Sequence, residues 1–190
     1  MLEVHLAATR SVLICFPGYP VADTKEAKLT KEGDAAMATI EESVEVEVPV
    51  RTAYNQWTQF EEFPRFMEGV EKVSQLTATK VHWVAEITGQ KREWDADITE
   101  QIPDQRISWC STDGATNSGV VTFHRLGNSR SRVMLQLGFE PEGAMEQIGD
   151  KLGIIKTKVK GDLKRFKDFI ESKGGETGAW RGEVHQDPTL

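Results

Sequence analysis

Eight apolar residues near the C-terminus, Met145, Ile148, Leu152, Ile155, Val159, Leu163, Phe166 and Ile170, recur at intervals of three or four. They form one stripe of a long amphipathic helix. Upstream of residue 140 the periodicity is mostly two, the period of strands. A single helix stripe needs a surface to cover, and here only strands can supply it. The spacing therefore predicts an α+β chain in which one helix lies across a curved sheet. Gly149, Gly153 and Gly161 interrupt the helix. Each costs about 1 kcal/mol relative to alanine, so a kink or a close approach to the sheet is expected.

The strands follow from alternation and turn residues. Val44, Val46 and Val48 alternate with Glu45 and Glu47, and Pro49 ends this first strand and opens a helix through Ala53 and Trp57. Val70–Thr77 and Lys80–Thr88 read as the next two strands. After Gly89 comes a strand with Arg92, Trp94, Ala96 and Ile98 on one face, and after Pro103-Asp104 another over Arg106–Ser111. Residues 113–117 read as loop. Val120–Leu126 and Arg132–Phe139 complete seven strands, enough for a strongly curved antiparallel sheet. Strand phase puts Val46, Val81, Trp83, Ala85, Ile87, Trp94, Ala96, Ile98, Trp109, Val121, Phe123, Val133, Leu135 and Leu137 on the concave face. The ionisable residues in the same phase are Glu42, Arg92, Glu100 and Arg125.

Between the first two strands runs a short segment dense in large apolar groups: Trp57, Phe60, Phe63, Phe66 and Met67, with Pro64 inside it and Gly69 closing it. Short helices this apolar must press on something. They either plug the core or wall a pocket over the open face of the sheet. Trp83, Trp94 and Trp109 cannot all be covered by one helix stripe, so an apolar cavity is expected beneath residues 145–155. Unfilled apolar space of this kind is the usual form of a small-molecule site.

Composition narrows the partners. The chain has 190 residues and a net charge of −7, which argues against nucleic-acid binding through phosphate neutralisation. Cys15 and Cys110 show no paired spacing, so neither a disulfide framework nor a zinc site is expected, and a reducing cytoplasm is the default compartment. No apolar run approaches the roughly 20 residues that span a bilayer. Residues 1–38 carry only the short run Val12–Phe16 and a polar stretch from Asp23 to Asp34. They are expected to be a flexible extension whose deletion leaves thermal stability nearly unchanged, and Met37 is a candidate start. The lysines of the last helix, Lys156, Lys158, Lys160, Lys164 and Lys167, read as a solvated face, or as a surface for transient contact with an anionic membrane or an acidic partner.

Candidate chemistry is sparse. His5 and His185 lie near the ends, and His82 and His124 take the outward strand phase. No pair has metal-ligand spacing, so no metal is expected. Cys110 has no histidine placed to activate it. No glycine-rich phosphate loop opens a helix, no cofactor is implied, and the catalytic residues stay unassigned. Arg92 is the best polar candidate, two residues from Trp94 on the same face, where a guanidinium can bind a carbonyl or carboxylate.

The order strand, two short helices, six strands, long helix resembles the helix-grip fold of the START or SRPBCC superfamily. The likeness is nearest to its bacterial polyketide cyclase/dehydrase and coenzyme-Q-binding START-like branch. It covers residues 39 to about 184, a single domain followed by a tail at 185–190. Its carriers are the first strand to Pro49, Trp57 with Phe60 and Phe63-Pro64-Arg65-Phe66-Met67, Arg106-Ile107-Ser108-Trp109, Gly119–Phe123, Arg132-Val133, and the ending from Asp162 to Gly182. The resemblance implies a cavity for a lipid-, quinone- or polyketide-like molecule, held for binding or transport. A polyketide cyclase/dehydrase using the same cavity is the alternative, and an accessory protein with a vestigial cavity a third reading. Oligomeric state is left open. The ligand-binding candidates are Trp57, Phe63, Phe66, Met67, Trp83, Arg92, Trp94, Trp109, Phe123, Met145 and Leu152.

Overall fold

The protein was analysed as a computed structural model that describes residues 38–87, 89–114, 117–139 and 145–185, with the side chains of 145–151 outside the description. The expectations for residues 1–37 therefore fall outside the described residues. The sheet has seven strands: β1 (Ala38–Val46), β2 (Val70–Gln75), β3 (Lys80–Ile87), β4 (Gln90–Ile102), β5 (Arg106–Gly114), β6 (Asn117–Arg125) and β7 (Ser131–Phe139). All neighbours are antiparallel, in the order β1-β7-β6-β5-β4-β3-β2. Helix α1 (Val50–Trp57) and a 3-10 helix (Phe60–Arg65) follow β1, and helix α2 (Met145–Lys173) closes the chain. This is the α+β architecture that the periodicities predict and the helix-grip fold that the resemblance implies.

Local chemistry explains each boundary. Pro49 precedes α1, and its carbonyl accepts the Ala53 N–H at 3.1 Å. The 3-10 helix carries Pro64, which has no N–H to donate, and the chain turns at Gly69, whose φ is +79°. A β-carbon at Gly69 would stand 2.7 Å from the Glu86 carbonyl oxygen and 2.5 Å from Lys158 Nζ. The position requires glycine on both counts.

Two strand details differ from the sequence reading, and in the long helix, present as expected, the glycines play another part. β5 runs on to Gly114 and β6 begins at Asn117, so most of the expected 113–117 loop is strand. β4 carries an extra residue at Thr99, because Ile98 faces Trp109 but Glu100 faces Ser108. Such a bulge flips the phase of everything beyond it. Gln101, not Glu100, then turns inward and is 1% exposed, while Glu100 pairs with Arg106 at 2.7 Å. The inward placement of Glu100 is thereby corrected. Finally, α2 is assigned as one helix over 29 residues. A β-carbon on Gly153 would meet nothing within 4 Å, and one on Gly161 would meet only Arg165 of the same helix. At these two positions glycine does not mark an approach to the sheet.

The core fills one half of the grip. Trp57 sits at its centre, with its ring centroid 4.9 Å from Phe166, 5.6 Å from Phe63 and 6.3 Å from Phe123, mostly edge to face. Phe66 packs between Phe166 and Phe169 at 5.2 and 5.5 Å. Leu163, Phe166 and Ile170 of α2 are buried against them.

A polar cluster ties the chain after α2 to α1. The Asn55 side chain donates to Glu176 at 2.8 Å and accepts from Arg181 at 2.9 Å. Gln56 accepts the Thr177 N–H at 2.9 Å, and Thr58 Oγ1 accepts the Trp180 N–H at 3.0 Å. Arg181 also forks onto Asp104 with two bonds of 2.9 Å, which holds the β4–β5 turn where Asp104 takes a φ of +63°. Val184 then exchanges two backbone bonds with Gln101 beyond the end of β3.

Candidate functional site

The other half of the grip is hollow. A cavity of about 340 Å³ lies between the sheet and α2. This is within the range of small-molecule sites. Its sheet wall is built by the inward positions of β3 to β7. Val81, Trp83, Ala85 and Ile87 come from β3, and Arg92, Trp94, Ala96 and Ile98 from β4. Ile107 and Trp109 come from β5, Asn117 from β6, and Leu135, Leu137 and Phe139 from β7. Trp83 and Trp94 are cross-strand partners, and their rings lie parallel within 5°, with centroids 5.7 Å apart. Phe63 closes against Trp83 at 5.6 Å. The α2 wall is Ile155, Lys158, Val159, Asp162 and Leu163, and the front is Trp57, Phe60, Phe63, Met67, Glu68 and Val70. The aromatic run after β1 therefore both plugs the core and walls the pocket.

Along α2 the described side chains that line the cavity run from Ile155 to Leu163, and of the expected stretch 145–155 the side chains of 145–151 lie outside the described residues. Of the ligand-binding candidates, Trp57, Phe63, Met67, Trp83, Arg92, Trp94 and Trp109 line it. Phe66 and Phe123 do not. Both are buried in the filled half, Phe66 against Phe166 and Phe123 against Tyr54 at 5.4 Å. Leu152 is partly buried against the core and is not in the cavity wall. The Met145 side chain is outside the description. Of the four ionisable candidates, Arg92 alone lines the cavity. Glu42 lies 3.7 Å from Lys156, and Arg125 bonds Asn128 at 2.6 Å in the β6–β7 turn.

Sequence reasoning missed four polar residues of the wall: Glu68, Asn117, Lys158 and Asp162. Asn117 was hidden by the loop reading of residues 113–117. Asp162 was detectable, since it stands seven residues after Ile155 and three after Val159, on the flank of the apolar stripe. Glu68, Lys158 and Asp162 latch α2 over the cavity. Asp162 Oδ1 accepts the Glu68 N–H at 2.8 Å and a bond from Arg165. Arg165 also donates to the Phe66 carbonyl at 3.0 Å and pairs with Glu68 at 3.1 Å. Lys158 donates to the Glu86 carbonyl at 3.1 Å. Burial pushes the Asp162 carboxyl above the usual carboxylate range, against the opposing pull of the Glu68 N–H and Arg165. A second hollow outside this latch shares Glu68, Val70, Ile87, Ile155 and Lys158 with the cavity, and Ile154 stands 58% exposed beside it. The latch therefore marks one mouth.

The helix lysines divide into two groups. Lys158, and Lys167 with its bond to the Glu45 carbonyl at 2.8 Å, hold the helix to the sheet. Lys156, Lys160 and Lys164 are exposed. On the convex face His82 pairs with Asp95 at 2.7 Å, away from the cavity. Among the described residues, no three His, Cys, Asp or Glu side chains converge as a metal ion would require. No described helix is long and apolar enough to cross a membrane.

Comparison with known proteins agrees with this geometry. The sequence model of the family described as polyketide cyclase / dehydrase and lipid transport matches residues 46–168. An uncharacterized 17.2 kDa protein of Streptomyces lincolnensis is 58% identical over 149 residues, 78% of this chain and 99% of that protein. Solved structures share the fold at low identity. The Zhui aromatase/cyclase of a Streptomyces species has a TM-score of 0.62 at 16% identity, over 76% of this chain and 100% of that one. A START superfamily protein of Mycobacterium smegmatis has a TM-score of 0.62 at 14% identity, over 71% and 98%.

Proposed function

The chain belongs to the SRPBCC polyketide cyclase/dehydrase and lipid-transport family, and we propose that it binds and carries a hydrophobic small molecule, lipid-, quinone- or polyketide-like, in the cavity between sheet and α2. The observation that carries this reading is the cavity itself: about 340 Å³ walled mainly by tryptophan, phenylalanine and aliphatic side chains, beside the buried aromatic core. Removing apolar surface from water drives uptake at roughly 25 cal/mol per Å². The parallel Trp83–Trp94 pair offers a flat face to a ring system, and Arg92 and Asn117 offer donors to a carbonyl or carboxylate head group. The exposed Lys156, Lys160 and Lys164, with Ile154 beside the mouth, suit transient contact with an anionic membrane during transfer. Native mass spectrometry of the protein purified from its own host tests the reading. A bound hydrophobic mass that is lost on denaturation is expected, and repeated recovery of empty protein under conditions that preserve non-covalent complexes would count against it.

One observation favours the cyclase alternative. A carboxyl whose pKa burial raises, Asp162, and a guanidinium, Arg92, both lie in the cavity wall. Two such groups facing one cavity suit proton donation and carbonyl orientation in a condensation. Turnover of a poly-β-ketone substrate that falls in Asp162→Asn while affinity stays unchanged would select the enzyme reading.

A further inference from the structure

Gly119 occupies a costly position. It lies in β6 between β5 and β7, inside the sheet, where glycine costs about 0.5–1 kcal/mol relative to alanine. Its backbone does not call for glycine, since it is not among the residues with positive φ. Side-chain space is the remaining reason. In register across the concave face stand Ile98, Trp109, Gly119 and Leu137, on β4, β5, β6 and β7. The Trp109 indole lies over Gly119. A β-carbon there would overlap Cζ2 and Cη2 of the ring and come within 2.8 Å of Cε2. Asn117, two residues away on the same face of β6, accepts the Trp109 Nε1–H at 3.3 Å. Glycine thus vacates the floor beneath the ring and the amide fastens the ring's edge.

Ile98, Trp109, Asn117 and Leu137 all line the cavity. Any side chain at 119 must lift the indole off the sheet, and the open space on that side is the cavity. We propose that Gly119 sets the size of ligand the protein accepts, by letting the Trp109 indole lie flat where it would otherwise fill the pocket. The inference rests on the ligand-binding reading above, and it assigns Gly119 as a positioning residue for a rigid, ring-shaped ligand rather than as a contact. Its chemistry is packing alone: no bond forms or breaks, and no head group is involved.

Naphthoquinone, anthraquinone and naphthacenequinone are rigid probes of increasing length with the same carbonyl pair. Their affinities are measured on the full chain by tryptophan quenching and calorimetry. Gly119→Ala is expected to weaken the largest quinone that the wild type binds by about tenfold or more, while naphthoquinone stays within about twofold. The double variant Gly119→Ala/Trp109→Phe, which lacks the overlapping ring atoms, is expected to recover the large quinone. An equal loss for every probe that the wild type binds, or no loss, would overturn the proposal, as would failure of the double variant to recover. A crystal structure of Gly119→Ala separates this idea from the ligand-binding reading. If the wild type binds none of the quinones but the indole of the variant has swung into the cavity, the probe class fails and the steric role of Gly119 stands. An indole left in place, with β5 and β6 spread instead, would refute that role. Should Gly119→Ala fold poorly, Trp109→Ala in the wild-type background carries the comparison: removing the indole is expected to raise the size limit, and an unchanged or lower limit would overturn the proposal.

Discussion

At the scale of single residues the wall and the plug should respond differently to truncation. Phe66 is 1% exposed and touches aromatic rings on several sides. Phe66→Ala should cost about 3–5 kcal/mol in chemical denaturation, the range for emptying a packed aromatic site. Trp94 borders open space, so Trp94→Ala should cost less stability and more ligand affinity. Arg92→Ala should weaken ligands with a carbonyl or carboxylate head group by about 1–3 kcal/mol, the cost of leaving a buried partner unsatisfied. Ligands without a head group should bind as before, and equal loss for both kinds would contradict the role. Asp162 gives a pH test. Its carboxyl is pushed up by burial, so its favourable contribution to stability belongs to acid and is lost as pH rises through the raised value. The melting temperature of the wild type relative to Asp162→Asn, which keeps the Oδ1 acceptor, should therefore fall from acidic to neutral pH. A constant difference would mean the carboxyl titrates normally. Apolar wall residues were legible at this scale because strand phase alone places Trp83, Trp94 and Trp109. Asn117 and Gln101 were not, because a strand extension and a bulge each changed the local count by one or a few residues.

Among the elements, the segment after α2 behaves as a strap. Its contacts run from the side chains of Asn55, Gln56 and Thr58 to side chains and backbone of residues 176–181, ending at the Val184 bridge to Gln101. Truncation after Gly175 should expose these three buried polar side chains and Tyr54, and should lower the melting temperature clearly more than Lys164→Ala on the open face of α2. The Glu176 carboxyl is held below its usual range, first by the Asn55 side-chain bond. Its contribution is thus present above the ordinary glutamate value and lost as pH falls through the depressed one. Limited proteolysis should cut the strap faster below about pH 4, and Glu176→Gln should remove that dependence. Helices and strands were readable from period and turn residues. The strap was not, since its sequence has neither period, and since Asn55, Gln56 and Thr58 look like a polar helix face until a partner covers them.

For the whole molecule, one helix cannot fill a seven-stranded grip, and the chain resolves this by packing one end and leaving the other hollow. Two alanines, Ala85 and Ala96, line the hollow and are 4% and 2% exposed. They keep the space open, and their side chains point at it rather than at a neighbour across the core. Their consequence is the opposite of the usual stability–function coupling: filling the space should hold or raise stability while removing function. The existence of the cavity could be argued from three tryptophans and one stripe. The most direct measurement is titration of the wild type and of Ala96→Leu with a quinone or fatty-acid probe, followed by tryptophan fluorescence, with melting temperatures in parallel. The account predicts saturable one-to-one binding by the wild type, and binding weakened about tenfold or more in Ala96→Leu with an equal or higher melting temperature. Undiminished binding by a stably folded Ala96→Leu, or no saturable binding of any hydrophobic probe by the wild type, would contradict the claim that this cavity is where the protein holds its ligand.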